Sequence, residues 1–267
     1  MADPFQNVDA AGAEFIEMFA DAMDVRQSDP TMEAIVSDYL GRLPLGDGAT
    51  VVEIGCGAGA VTRRIAAHAP GASVTGYDPS EGFVAEARKR AGAPPNLAFE
   101  VASGEALPLE TGSVDAAVMH TVLTHVERPG ALLAEAARIL LPGGALAVCD
   151  ADFSKATFAA FPDDPLDACA RAFVNGFVTD PHIVAKLRVL LPDAGLTVTH
   201  FDVRTRLVTD PVQMRPWVEV TAKAMLERGR IGPALAEALI AEHERRAEGG
   251  TLYGYQAFGT AIAVKPG

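Results

Sequence analysis

The sequence predicts an α/β protein built on a doubly wound, seven-stranded, mostly parallel sheet, and three observations lead there. Short β-rich apolar runs alternate with helix-length segments from Val51 to Cys149. Three glycines, Gly55, Gly57 and Gly59, stand between the first such run and the first helix that follows it. Two later β-rich runs are separated by a pair of helical segments, as an antiparallel C-terminal strand with an insertion requires.

The elements follow in order. Ala10 to Met23 carries Phe15, Ile16, Phe19 and Met23 on one helical stripe. A second helix runs from Pro30 to Leu40, with Asp29 as N-cap and Pro30 at its first position. The first strand is Val51–Ile54 and the helix after it Ala60–Ala69; Ser73–Tyr77 and Ser80–Ala91 repeat the unit. Leu97–Val101 and Val114–Met119 are strands, Ala131–Leu140 is a helix, and Pro142-Gly143-Gly144 turns the chain into strand Ala145–Cys149. Ala151 to Asp180 reads as a mixed stretch with Pro162 and Pro165. A helix over Pro181–Leu191 leads to strand Leu196–Val208, helices Val212–Glu227 and Pro233–Ala247, and strand Tyr253–Val264. The expected organisation is therefore an N-terminal helical cap over 1–45, a sheet domain over 46–209 and 249–267, and an inserted helical lid over 210–248. Right-handed crossovers gather the strands' C-terminal ends on one side, where a ligand binds.

Composition narrows the function. A hydrophobic fraction of 49% supplies a core, and aromatics at 6% leave much of it to alanine and aliphatics. A formal charge of −13 argues against nucleic acid, which needs clustered Lys and Arg. The basic clusters Arg63-Arg64, Arg88-Lys89-Arg90 and Arg245-Arg246 read as solvated helix faces. Cys56, Cys149 and Cys169, an odd set at unrelated spacings, read as reduced thiols. Met1-Ala2-Asp3-Pro4 lacks the basic and apolar regions of a signal peptide, and Ala131 to Val148 is interrupted by Glu135, Arg138 and Pro142. A cytoplasmic, non-membrane protein, monomer or homodimer, is the expectation.

The glycine loop allows two ligands. Glycines between a strand and a helix let a ligand touch backbone, beside the helix's unpaired N–H groups and positive end. Gly55-x-Gly57-x-x-Ala60, with Asp78 about 20 residues on, satisfies the dinucleotide fingerprint as well as an S-adenosylmethionine loop. An NAD-type oxidoreductase stays open at this point.

Ordered motifs from Val51 to Val148 resemble the class I S-adenosylmethionine-dependent methyltransferase family, in its ubiquinone/menaquinone-biosynthesis-like group. Glu53-Ile54-Gly55-Cys56-Gly57-Ala58-Gly59 resembles the first motif, and Gly76-Tyr77-Asp78-Pro79-Ser80 the second, whose acid accepts the ribose hydroxyls. Glu105-Ala106-Leu107-Pro108-Leu109 and Ser113–Val118 resemble the adenine-side loop and fourth strand. Leu123-Thr124-His125-Val126 and Leu140–Gly144 resemble its later landmarks. The family's Gly-Asp-Ala before the adenine loop is replaced by Ala102-Ser103-Gly104, so a hydroxyl stands where a carboxylate is usual.

The resemblance implies a Rossmann-like methyltransferase fold with S-adenosyl-L-methionine as cofactor and a small-molecule acceptor. Its implied binding set is Glu53, Gly55, Cys56, Gly57, Gly59, Asp78, Pro79, Ser103, Gly104, Glu105, His120 and Thr121. Transfer to oxygen, nitrogen or carbon is an in-line displacement that needs alignment and water exclusion, with a base for some acceptors. His120 is the candidate base or, alternatively, a hydrogen-bonding pocket wall; His125 reads as a helix-start residue bonded to backbone. A His120/Asp150/Asp152 magnesium site is weighed and set aside in favour of capping roles, so no metal is expected. Arg26 and Gln27 are placed to reach the cofactor carboxylate if the N-terminus folds over. Phe153, Phe158, Phe161, Phe173, Phe177, Met214, Trp217 and Met225 are the apolar candidates for the acceptor pocket or the core. A methyltransferase fold repurposed for a non-methylating reaction is a further alternative. Arginine and alanine richness fits a high-GC genome, where such enzymes often serve secondary metabolism.

Overall fold

The computed structural model describes residues 3–92 and 94–267; Met1 and Ala2, at the start of the segment tested for a signal peptide, lie outside them. Seven strands form one sheet in the order β3-β2-β1-β4-β5-β7-β6. They are β1 (Thr50–Ile54), β2 (Ser73–Asp78), β3 (Leu97–Val101), β4 (Val114–His120), β5 (Leu140–Thr157), β6 (Thr197–Leu207) and β7 (Tyr255–Val264). β1 to β5 pair in parallel, whereas β7 runs antiparallel to both β5 and β6. The antiparallel β7 between β5 and β6 departs from the 3-2-1-4-5-6 order of the dinucleotide fold.

Strand alternation feeds two apolar layers. On β4, Ala116 and Val118 face one layer, while Val114, Ala117 and Met119 face the other. The strand order reverses between β1 and β4, so their C-terminal ends diverge and leave a crevice there.

Ten α-helices surround the sheet among the described residues. α3 (Pro30–Leu40) has the predicted bounds, because Asp29 accepts the N–H groups of Thr31 and Met32 and Pro30 opens the first turn. The first predicted helix is instead two, α1 (Val8–Ala11) and α2 (Ala13–Gln27), divided at Gly12 with φ 91°. A 3-10 helix, Pro4–Asn7, precedes them with Asp3 as its cap. The mixed stretch proves regular: β5 continues to Thr157, and α7 (Pro165–Phe177) starts on an Asp164 cap and Pro165. The remaining helices are α4 (Ala60–His68), α5 (Glu81–Ala91), α6 (Pro129–Ile139), α8 (Ile183–Asp193), α9 (Pro211–Glu227) and α10 (Pro233–Glu248).

The basic clusters need correction in part: Arg88, Lys89 and Arg245 are exposed as expected, whereas Arg63, Arg64, Arg90 and Arg246 turn inward. Arg246 is 3% exposed and pairs through both terminal nitrogens with the buried Asp164 at 2.8 and 2.9 Å. Arg63 and Arg90 both reach Asp24 on α2, tying the N-terminal helices to α4 and α5. Arg246 is an internal strut, and Arg63 and Arg90 are half-buried ones. Among the described residues no helix is long and apolar enough to cross a membrane. The three cysteines are free and buried.

Candidate active site

A cavity of about 400 Å³ opens at the crevice, between the ends of β1, β2 and β4 and the N-terminal segment. Glu53, Gly55, Cys56, Gly57, Asp78, Pro79, Ser103, Gly104, Glu105, His120 and Thr121 line it, together with Arg26 and Gln27. Gly59 does not. It sits behind the wall in the left-handed conformation, φ 75°, and a Cβ there would lie 2.6 Å from Phe99. Its requirement is packing of α4 against the sheet rather than ligand approach.

The glycine loop provides shape more than donors. Gly55 and Cys56 N–H both donate to the Tyr77 carbonyl, Gly57 N–H donates to Asp78 at 2.8 Å, and Gly59 N–H donates to Cys56. Those four loop donors are satisfied within the protein. Gly57 has φ 52°, and a Cβ on it would meet the Met23 sulfur at 3.1 Å across the cavity.

Two buried carboxyls stand beside the loop. Asp78 accepts from Gly57 N–H and, at 2.9 Å, from Ser80 N–H, yet burial pushes its pKa up to about 6. Glu53 takes a hydrogen bond from the Thr62 hydroxyl, and burial raises it to about 8, so it is largely protonated at neutral pH. Ser103 accepts from Glu105 N–H at 3.3 Å and closes the adenine-side turn on itself.

The N-terminus does fold over. Phe5, Gln6 and Val8 line the cavity, and Asp9 receives the Ser80 hydroxyl and the N–H groups of Glu81 and Gly82 at the start of α5. Asp3 bonds His125 Nδ1 at 2.8 Å, so His125 is held by a side chain, not by backbone. Asp3-Pro4 carried the same cap-and-proline signal as Asp29-Pro30; Asp9 gave no local signal.

His120 is 4% exposed and spoken for at both nitrogens. Arg64 donates to Gln27 Oε1 at 3.1 Å, which turns the Gln27 amide nitrogen toward His120 Nε2 at 3.2 Å. Nε2 therefore accepts, and the proton lies on Nδ1, 3.3 Å from the Tyr39 hydroxyl. Burial, then the Arg26 and Arg64 charges, hold its pKa well below the usual histidine range. This geometry leaves no lone pair for general-base work. Gln27, with both ends engaged, orients His120.

Arg26 differs. One terminal nitrogen donates to Thr121 at 3.1 Å, but Nε is buried without a partner. Burial, with Arg206 nearby, lowers the guanidinium to about 10, which keeps it charged at neutral pH. Thr121 itself has φ 56°, an uncommon conformation for a β-branched residue, directly after β4.

Asp150 accepts the N–H groups of Thr124 and Ala151, and Asp152 binds Ser154, as capping residues do. Among the described residues the group with metal-ligand spacing is Asp38, His200 and Asp202, away from this cavity.

A second, smaller cavity of about 90 Å³ shares Phe5, Met23, Arg26, Thr121 and His125 with the first. Phe153, Phe173 and Trp217 line it, from the apolar candidates above. Phe158, Phe177 and Met214 belong to the core, and Phe161 is 52% exposed.

Residues 52–148 match a family model described as a methyltransferase domain. The chain is 33% identical over 210 residues to an uncharacterized 37.1 kDa transposon protein of Streptomyces fradiae, covering 70% of this chain and 60% of that one. It is 41% identical over 112 residues to a trans-aconitate 2-methyltransferase of Methylobacterium nodulans, 42% of each chain. It is 39% identical over 103 residues to a demethylmenaquinone methyltransferase of Tropheryma whipplei, 39% of this chain and 42% of that one. The chain thus spans less than two thirds of these relatives' lengths. Among solved structures, the [4+2]-cyclase SpnF aligns at TM-score 0.56 and 22% identity, covering 88% of this chain and 81% of that one. A geranyl diphosphate methyltransferase bound to its substrate and sinefungin aligns at 0.55 and 20%, covering 88% and 77%. At those identities the two structures speak to the fold alone. Residues 52–148 thus match a methyltransferase domain, and within them the chain is similar to enzymes of the ubiquinone/menaquinone-biosynthesis group.

Proposed function

We propose that the protein is a methyltransferase that binds S-adenosyl-L-methionine in the larger cavity and transfers its methyl group to a small molecule. The observation that carries this reading is the placement, on one cavity, of the Asp78 carboxylate and the Arg26 guanidinium, whose Nε is buried without a partner. Asp78 suits the ribose hydroxyls and Arg26 the carboxylate at the other end of the cofactor. The cofactor, when bound, supplies a methyl group already activated on a sulfonium.

Pro79, Gly104, Ser103 and Glu105 form the adenine wall in this reading; Cys56 and the backbone of Gly55 and Gly57 lie along the middle. Glu53, protonated beside the loop, holds α4 to β1 through Thr62. His120 and Thr121 form the wall nearest the methyl group, and His120 orients rather than abstracts. Residues 1–45 act as a cap, 46–209 with 249–267 as the cofactor domain, and 210–248 as a lid that excludes water from the transfer.

Calorimetry tests the reading: S-adenosylhomocysteine binds and NAD(H) does not. NAD(H) binding without S-adenosylhomocysteine binding would overturn it. Methyl transfer itself is checked by release of S-adenosylhomocysteine with candidate acceptors, and turnover of an acceptor without that release would point to a repurposed site.

A further inference from the structure

The smaller cavity holds a polar arrangement that the cofactor does not explain. Gln213, on α9, and Gln256, on β7, line it and are 6% and 7% exposed. Both amide oxygens accept from one residue, Arg206, which is 2% exposed and lies on β6. Arginine only donates, so the bond fixes each amide with its oxygen toward Arg206 and its nitrogen turned away. Neither amide nitrogen meets a protein acceptor among the described residues. Arg206 is anchored in turn by the Asp29 carboxylate, 3.2 Å from Nε, which also caps α3. Around these groups stand stacked rings: Phe173 and Trp217 lie 4.1 Å apart at 12°, and Phe153 and Trp217 5.6 Å apart at 27°. The remaining polar wall is Arg26, a donor, with Thr121 and His125 already bonded to Arg26 and Asp3. The chamber thus combines flat apolar faces with donors and almost no acceptors.

Resting on the methyl-transfer reading, we propose that this chamber is the acceptor pocket. It takes a flat, apolar molecule bearing an sp² oxygen, a carbonyl or carboxylate, which accepts from the Gln213 and Gln256 amides. Arg206 is a positioning residue: it touches no ligand and fixes which end of each amide the ligand meets. The shared wall with the larger cavity places the acceptor's other end toward the methyl group.

Trp217 is the chain's single tryptophan, so its fluorescence reports occupancy of this chamber alone. Acetophenone, benzoate and ethylbenzene are titrated against the full chain, with and without S-adenosylhomocysteine. At least one oxygen-bearing probe binds roughly tenfold tighter than ethylbenzene, and the better of the two tells whether the oxygen is neutral or anionic. Gln213→Glu and Gln256→Glu each keep an oxygen for Arg206 but exchange the donor for an acceptor. In either variant the preference falls about tenfold while ethylbenzene binding is unchanged. Equal binding of all three probes by the wild type, no response of Trp217, or a preference that survives both variants would overturn the proposal. Calorimetry with S-adenosylhomocysteine runs separately: its failure removes the methyl-transfer reading, whereas the probe preference stands or falls on its own.

Discussion

The two cavities share a wall but are built in opposite ways. The larger one, beneath the N-terminal segment, is made mainly of consecutive residues at the ends of adjacent strands: Glu53 to Gly57 at the end of β1, Asp78 and Pro79 at the end of β2, His120 and Thr121 at the end of β4. Its ribose-side acid is fixed by backbone, through the two N–H bonds to Asp78, although His120, Glu53 and Arg26 are held by side chains. The smaller one draws single side chains from α2, β5, α7, α9 and β7, and fixes them through other side chains, chiefly Arg206. A backbone-built site survives much change in the core around it. A side-chain-built site depends on every strut.

That contrast is broken most strongly at the Asp164–Arg246 pair, which joins the cap of α7 to α10 behind the chamber. Removing one partner leaves the other buried and charged. Arg246→Ala therefore loses about 3–5 kcal/mol of stability, measured by denaturant unfolding. Chamber binding, followed at Trp217, weakens with it, while S-adenosylhomocysteine affinity of the folded fraction stays near wild type. Equal loss at both sites would show that the cavities are one mechanical unit.

Legibility follows the same division. The strands, the glycine loop and Asp78 were readable because local spacing sets them: an apolar run, a turn without side chains, an acid at the next strand's end. Gly59 was correctly placed in the motif but not in the wall, since sequence does not say which of three glycines faces a ligand and which faces Phe99. Arg246 looked like a surface charge because its partner Asp164 stands 82 residues away. Arg206, Gln213 and Gln256 were invisible for the same reason: one bond spans 7 residues and the other 50. The helix α7, like the turn that opens at Asp3-Pro4, was a local signal missed. Asp164-Pro165 repeats the cap that made α3 readable.

Asp78 sharpens the backbone-built half through pH. Its pKa is raised from 3.8 to about 6, so the ionised form to which the proposal assigns the ribose hydroxyls is lost as pH falls through about 6. S-adenosylhomocysteine affinity should fall with it, and Asp78→Asn should cost about tenfold to a hundredfold and flatten the profile. Apo stability runs the other way. Folding raises this carboxyl, so its burial is costless below about pH 4 and destabilising above about 6. Asp78→Asn should therefore gain stability relative to wild type as pH rises across that window. A ratio of apo stabilities independent of pH would refute the assignment of the shift to burial.

Arg26 tests the shared wall with a smaller effect. Arg26→Met should weaken S-adenosylhomocysteine about tenfold by calorimetry, and leave 5′-methylthioadenosine, which lacks the amino-acid end, unchanged. Equal weakening of both ligands would mean that Arg26 supports the fold of the cavity rather than the carboxylate.

The smallest effect is expected where sequence reading placed the chemistry, at His120. A general base contributes about 10²–10⁴-fold, and its loss removes the acidic limb of the pH–rate profile. Here Nε2 already accepts from Gln27 and Nδ1–H faces Tyr39, so a proton taken from an acceptor has nowhere to go without breaking that chain. His120→Asn can keep an amide in place of the ring's inner edge and leave the cavity closed. Its kcat should stay within about threefold of wild type, with the pH profile unmoved and any loss appearing in KM. A hundredfold fall in kcat with loss of the acidic limb would restore His120 as the base, and would mean that ligand binding first pulls Gln27 away from it.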